Sequence, residues 1–240
     1  MNTTVLASVE KDSLSVSVIS VNKGDEPAMN VQAEIQAAGT KQLLAKTAQL
    51  GVDATYQQTA KIKLHLIKPG QYPLVVTMHY ADANLYPFSA LNCQSFSYKA
   101  ASGVDDIFGQ VKSDTFWKEG KLTFTLKNLS NKPISALVSV VTPRELSPEK
   151  EIQGATVGAK AEAILDFPIK NFSALSGSSY QVFCQTEYES EDGTHQTVFT
   201  PGIIGIEEAK TILGFDYKVV SGILVLLALI FVIAQFIKKD

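Results

Sequence analysis

The chain of 240 residues carries 21 basic and 24 acidic residues, giving a formal net charge of −3, and 45% of its residues are hydrophobic. This balance excludes the clustered basic footprint of a nucleic-acid-binding protein. The length exceeds that of one β-sandwich domain and suits two of about 100 residues each. Cys93 and Cys184 fall in different halves, so neither half can close its own disulfide. Cys93 is a free thiol or an intermolecular partner.

An internal repeat organises the first 205 residues. One strand-like segment ends at Asn22 and another ends at Asn128, 106 residues later. A proline follows each segment five residues on, at Pro27 and Pro133, again 106 residues apart. The repeat indicates a duplicated domain.

A second match supports the repeat. Tyr72 to Tyr80 corresponds to Tyr180 to Tyr188 with an offset of 108 residues. Apolar and polar residues alternate along both segments, as in the strands of a half-buried antiparallel sheet. We therefore predict an all-β fold of two tandem immunoglobulin-like β-sandwiches at 1–99 and 104–205. A short linker at 100–103 would join them end to end.

The strand, Asn, turn, Pro and strand pattern resembles tandem immunoglobulin-like modules of membrane-anchored bacterial and archaeal proteins, of the CARDB-like and NEW3-like kinds. The residues that carry it are Val18–Val31, Leu122–Val138 and Pro69–Asp82. The second repeat departs from the pattern, because Gly177-Ser-Ser-Tyr180 lacks the proline. The resemblance implies a sandwich fold, an extracytoplasmic location and an interaction role, but no chemistry. Eukaryotic translocon-associated subunits share the pattern, so the kingdom stays open.

The C-terminal region predicts one transmembrane helix at 218–237. Val219 to Ile237 is a run of 19 residues whose polar members are Ser221 and Gln235. At about 1.5 Å per residue such a helix reaches roughly 28 Å, close to the thickness of the hydrocarbon core of a bilayer. The alternative is an apolar helix packed inside a soluble assembly. The residues that define the anchor are Val219, Leu226, Phe231, Ile237, Lys238 and Lys239.

The flanks of this run suggest an orientation. Lys238 and Lys239 follow it directly, which favours a cytoplasmic tail at 238–240 and extracytoplasmic domains. The first nine residues show no signal peptide. Either the sequence begins near a mature N-terminus, which we expect, or the protein is tail-anchored with cytosolic domains. Residues 206–217 form a short interfacial helix or a plain linker.

Candidates for chemistry are few. His65, His79 and His195 have no partner at metal or catalytic spacing, and there is no nucleophile elbow or phosphate-binding loop. Four carboxylates could bind calcium, although a solvated strand face explains them as well. Trp117, the sole tryptophan, is a possible ligand contact or a packed residue. The calcium candidates are Glu187, Glu189, Glu191 and Asp192.

These observations predict a non-enzymatic, single-pass membrane protein without a cofactor. Its tandem domains would act as a scaffold or docking surface for an envelope or membrane-complex partner. Its partners would be the bilayer and a protein at the membrane, with no nucleic acid and no small-molecule ligand. The alternative is an adhesion module that binds carbohydrate or depends on calcium.

Overall fold

The computed structural model describes residues 1–100, 106–208, 211–212, 215–216, 221–227 and 229–230. Strands dominate this part of the chain, which confirms the all-β class. Residues 221–227 and 229–230 are helical. The strands are β1 Asn2–Glu10, β2 Ser13–Val21, β3 Ala28–Ala37, β4 Thr40–Leu43, β5 Thr47–Leu50, β6 Thr55–Lys63, β7 Gly70–Ala81, β8 Pro87–Tyr98, β9 Ile107–Ser113, β10 Glu119–Asn128, β11 Ile134–Val141, β12 Leu146–Pro148, β13 Ile152–Val157, β14 Glu162–Asn171, β15 Ser179–Glu189, β16 His195–Gly205, β17 Thr211–Ile212 and β18 Phe215–Asp216.

The first hydrophobic cluster lies between two sheets of the N-terminal half. One sheet has the order β1-β2-β6, and β3, β7 and β8 face it. Strand β2 shows why the sheets pack, because Leu14, Val16 and Val18 are fully buried while the serines between them are half-buried. Burying each such side chain stabilises the fold by about 1.5–3 kcal/mol.

The second cluster lies between β12-β14-β10-β9 and the strands β13, β11, β15 and β16. Its centre holds Phe124 and Phe167, both fully buried. The predicted inward face of β15, from Tyr180 through Cys184 to Tyr188, is buried along its length. The sandwich interpretation of the period-two pattern is therefore confirmed.

Strand pairing follows the same plan in both halves. The pairs β1–β2, β2–β6, β3–β7 and β7–β8 recur as β9–β10, β10–β14, β11–β15 and β15–β16, all antiparallel. The two repeated segments found in the sequence are thus the corresponding strands β7 and β15, together with the ends of β2 and β10.

The repeated asparagines organise the turn that follows these strand ends. Asn22 is buried, and its Nδ2 donates to Glu26 O at 2.8 Å and to Leu50 O at 3.1 Å. Asn128 is fully buried and donates to Lys132 O at 2.7 Å and to Val157 O at 3.1 Å. Each side chain satisfies turn carbonyls that would otherwise lose water without a partner.

The two halves lie side by side instead of end to end. Strand β16 of the second half pairs in parallel with β7 of the first, so nine strands form one sheet that runs through both cores. Sequence reasoning missed this arrangement because the pairing joins residues more than a hundred positions apart, and no local pattern encodes it.

A small β-ladder lies within the segment 206–217, for which the sequence predicts an interfacial helix or a plain linker. Thr211–Ile212 pairs antiparallel with Phe215–Asp216. β-branched and aromatic residues such as Ile212 and Phe215 favour extended backbone.

The predicted span at 218–237 lies mostly outside the described residues. Leu226, within the helix at 221–227, is 58% exposed, as its apolar neighbours also are. Within the described part of the chain, no helix combines the length and apolarity that crossing a membrane requires. Val219, Phe231, Ile237, Lys238 and Lys239 lie outside the described residues.

Candidate functional site

A seam joins the two halves where β7 and β16 meet. His195 N donates to Pro69 O at 3.0 Å, and the paired residue on β7 is Gly70. Gly70 has φ +150°, and a Cβ there would lie 2.0 Å from His195 O. The close approach of the two backbones therefore requires glycine at this position.

Side chains reinforce the seam next to Gly70. The His195 ring stacks on Tyr72 with centroids 4.3 Å apart and planes inclined by 18°. Its Nε2 lies 3.1 Å from Glu187 Oε2. This contact is the largest cause that lowers the pKa of Glu187, so the carboxylate is ionised at neutral pH. An ion pair between Lys68 and Glu189 closes the outer end of the seam.

A buried carboxylate forms a second junction, on the β11–β12 loop. Glu145 is fully buried, and it accepts hydrogen bonds from Ser89 N and Ser89 Oγ, both at 2.6 Å. Ser89 Oγ in turn accepts from Arg144 N at 2.9 Å. Hydrogen bonds to a charged acceptor in a water-poor site are stronger than neutral ones. Glu145 therefore fixes β8 of the first half to the second half.

A groove of about 640 Å³ runs between these two junctions. The outward faces of both halves line it, with Gln36 and Thr77 from the first and Leu137, Gln185 and Glu187 from the second. A neighbouring cavity of about 310 Å³ shares Gln36, Gln185 and Glu187 with it. The two together form one cleft, because they share these lining residues. We name this the interdomain groove.

The groove is polar and slightly acidic. Its charged lining residues are three acids and two bases, namely Glu34, Lys41, Arg144, Glu151 and Glu187. Glu34 pairs with Lys41 at 2.8 Å and approaches His79 at 3.6 Å. Burial lowers the pKa of His79 despite the opposing effect of Glu34, so this imidazole is neutral at pH 7. A basic or donor-rich partner complements such a lining.

The side chains near the groove that most resemble a catalytic group do not have the geometry that catalysis requires. Thr197 Oγ1 lies 3.4 Å from His195 Nε2, the same nitrogen that contacts Glu187. A relay needs the carboxylate on one ring nitrogen and the nucleophile on the other. Thr197 is also buried. His195, Glu187 and Thr197 therefore contribute to the seam between the two halves.

The four calcium candidates engage separate partners. Glu187 contacts His195, Glu189 contacts Lys68, and Glu191 contacts Lys132 at 3.0 Å. Asp192 accepts from the Ser190 and Thr194 hydroxyls of its own turn, which lowers its pKa to about 2. Among the described residues, no three acidic, histidine or cysteine side chains converge closely enough to hold a metal ion.

The other candidates are also placed. Trp117 is half-buried and packs against the second hydrophobic cluster, beside the buried Phe116. Cys184 is fully buried in that cluster, and Cys93 is half-buried on β8. Burial raises the pKa of both thiols to about 12, which makes them poor nucleophiles at neutral pH.

Sequence reasoning missed the residues that build the groove. Ser89 and Glu145 are 56 positions apart and sit in unremarkable local contexts. Gly70 stood within the Pro-Gly turn signal, which indicates a turn but not a contact with a distant strand. The sequence around Glu145, with Arg144 directly before it and Leu146 after it, carries no signal that the carboxyl group is buried.

Comparison with known proteins leaves the family open. No protein-family model matches the chain, and no curated protein matches it either, so the CARDB-like and NEW3-like resemblance is not confirmed. Among solved structures, a Salmonella alpha-2-macroglobulin mutant is 10% identical over 86% of this chain, with a TM-score of 0.38. E. coli alpha-2-macroglobulin in its native conformation is 11% identical over 87% of this chain, also with a TM-score of 0.38.

A further neighbour is a putative carbohydrate binding protein from Bacteroides uniformis, 10% identical over 78% of this chain and 91% of its own, with a TM-score of 0.30. This chain spans only 16% and 17% of the two macroglobulins. Similarity at these TM-scores carries no argument about function, so the functional proposal below rests on the interdomain groove.

Proposed function

We propose that this protein is a non-enzymatic, single-pass membrane protein whose two sandwich domains form one docking unit for a protein at the membrane. The interdomain groove is the docking surface. The observation that carries the proposal is that both halves build this groove, and that the seam and Glu145 fix the angle between them. A surface held in one conformation loses little entropy on binding.

The lining of the groove matches a protein partner. Leu137 is 49% exposed and lines the groove together with the amides of Gln36 and Gln185. Apolar contact at the centre with hydrogen-bonding groups around it is the usual make-up of a specific interface. The acids Glu34 and Glu187 favour a partner segment rich in lysine, arginine or amide donors.

The C-terminal apolar run supplies the membrane part of the proposal. Its 19 residues are long enough to cross the hydrocarbon core as a helix. An anchor confines the groove to a thin layer beside the bilayer, which raises its effective concentration for a membrane partner. The lysines at 238 and 239 favour a cytoplasmic tail, with the domains on the opposite side.

Site-specific crosslinking tests the docking surface. A photoreactive amino acid replaces Leu137 in the groove, and in a control variant it replaces Ile164 on β14, which is 68% exposed outside the groove. We expect one discrete adduct with a membrane protein from position 137 and none from position 164. The same adduct from both positions would contradict the assignment of the groove as the docking surface.

A second experiment tests the alternative function, which is carbohydrate binding. A glycan array probed with the detergent-solubilised full chain should stay silent. Saccharide binding that is lost on Leu137→Asp but kept in Ile164→Asp would assign the groove to a carbohydrate module and overturn the docking proposal.

A further inference from the structure

One loop of the second half exposes large apolar side chains. Residues 172–178 connect β14 to β15, and within them Phe172 is 80% exposed and Leu175 is 40% exposed. The loop is well held, because Glu145 O accepts from Phe172 N at 2.9 Å. A fixed loop that presents a phenyl ring to solvent is a candidate contact surface where further exposed apolar side chains lie near it.

This loop lies where the chain leaves the second sandwich. Gly177 N donates to Ile206 O at 2.7 Å, and Glu208 N donates to Ser176 Oγ at 3.2 Å. Residue 208 is the last described position before the segment that leads to the apolar run. The loop therefore marks the end of the domains from which the predicted anchor departs.

Neighbouring residues extend the apolar surface. The Asn171 side chain donates to Trp117 O at 2.8 Å, which places the half-buried Trp117 beside the start of the loop. On the other side, the Tyr86 hydroxyl donates to Ser173 O, and the adjoining Leu85 is 61% exposed. These hydrogen bonds bring residues of both halves to the loop 172–178, and we name Leu85, Trp117, Phe172 and Leu175 the apolar rim.

The tether between this rim and the apolar run is short. Thr211 and Asp216 are paired across the β17–β18 ladder, so their Cα atoms lie about 5 Å apart. The segment from residue 208 to residue 219 would reach roughly 38 Å if it were fully extended. The ladder folds the middle of this segment back on itself, which shortens its reach.

We propose that the apolar rim inserts into the interfacial layer of the bilayer that holds the anchor. This inference rests on the proposed membrane anchor, and it names the orientation of the docking unit: the rim faces the lipid. Tryptophan favours the boundary between headgroups and acyl chains, and phenylalanine and leucine are the apolar side chains that interfacial segments bury there. The tether keeps the rim within reach, so insertion is intramolecular and needs little affinity of its own.

The charges beside the rim predict how insertion depends on the charge of the lipid. Glu207 and Glu208 are exposed at the chain exit, and Lys118 is exposed beside Trp117. Two acids against one base do not attract anionic headgroups. Insertion should therefore depend on apolar contact and remain unchanged in vesicles with or without anionic lipid.

Trp117 is the only tryptophan of the chain, so its fluorescence reports on the rim alone. The full chain is reconstituted into phosphatidylcholine vesicles whose acyl chains are brominated near the headgroups, and into the same vesicles without bromine. We expect loss of Trp117 emission in the brominated vesicles. The Phe172→Asp, Leu175→Asp double variant should lose this quenching, and the control Ile164→Asp should keep it.

Flotation after an alkaline wash is measured on the same vesicles and tests the anchor separately. If the chain floats while Trp117 stays unquenched, the proposed insertion of the rim is wrong and the proposed anchor is retained. If the wash removes the chain from the vesicles, both proposals are wrong. Equal quenching in the double variant, or quenching only with anionic lipid, would also contradict insertion of the rim through apolar contact. Should the double variant fail to fold by circular dichroism, Phe172→Ser replaces it, since that side chain is 80% exposed.

Discussion

At the scale of single residues, His79 contacts Glu34 of the groove and has a shifted pKa. Burial lowers the pKa of His79 below its ordinary value of 6.5, with Arg144 and Lys41 acting in the same direction and Glu34 against them. The unfolded chain therefore takes up a proton at a pH where the folded chain does not. The contribution of His79 to the free energy of unfolding is therefore fully present above about pH 6.5. It decreases as the pH falls toward the lower pKa of the folded state.

We predict that His79→Gln flattens this dependence. The midpoint of urea unfolding, followed by circular dichroism in detergent, should fall less between about pH 7.5 and about pH 5.5 in the variant than in the parent chain. His65 is exposed, and His65→Gln serves as the control substitution. An unchanged slope in His79→Gln would show that other groups set the acid sensitivity.

At the scale of elements, the contact between β7 and β16 depends on the absence of a side chain. Gly70→Ala would place a methyl group against the His195 backbone and would force alanine to φ +150°. We predict destabilisation beyond the roughly 1–3 kcal/mol of backbone strain, because the strands must also separate. Gly39→Ala is the matched control, since Gly39 also has a positive φ, +72°, but open space around its Cβ position.

The measurement is the free energy of unfolding of both variants in detergent. Gly70→Ala should be less stable than Gly39→Ala and should broaden or split the transition, because the seam couples the two hydrophobic clusters. Equal losses would mean that the seam adds nothing beyond local strain.

At the scale of the whole molecule, Glu145 and Ser89 couple the two halves. Glu145→Gln or Ser89→Ala leaves a buried polar group unpaired, at a cost of about 1–3 kcal/mol each. We predict that the double variant loses less than the sum, with a coupling energy of roughly 0.5–3 kcal/mol. Urea unfolding of the four chains gives this value.

The ion pair between Lys121 and Asp166 provides the comparison cycle. Its side chains are both 49% exposed and lie 3.0 Å apart, so solvent screening should leave it only a small coupling energy. If the Ser89–Glu145 coupling is no larger than this, the buried carboxylate does not hold the halves together.

The sequence by itself determined the strands and the repeat. Period-two alternation placed the buried face of β15, and the recurring asparagines marked equivalent turns, because both features act over a few neighbouring residues. The apolar run near the C-terminus is equally local, and the anchor it predicts stays a prediction. The four carboxylates were visible as a charge pattern, but their separate partners were not.

Only the tertiary structure decided how the halves meet. The seam brings Gly70 to His195, and the second junction brings Ser89 to Glu145, across long sequence separations that carry no periodic signal. Such contacts depend on the combined shape of two packed cores, to which each residue contributes little on its own. The groove and the apolar rim arise from these contacts, so neither could be read from local sequence.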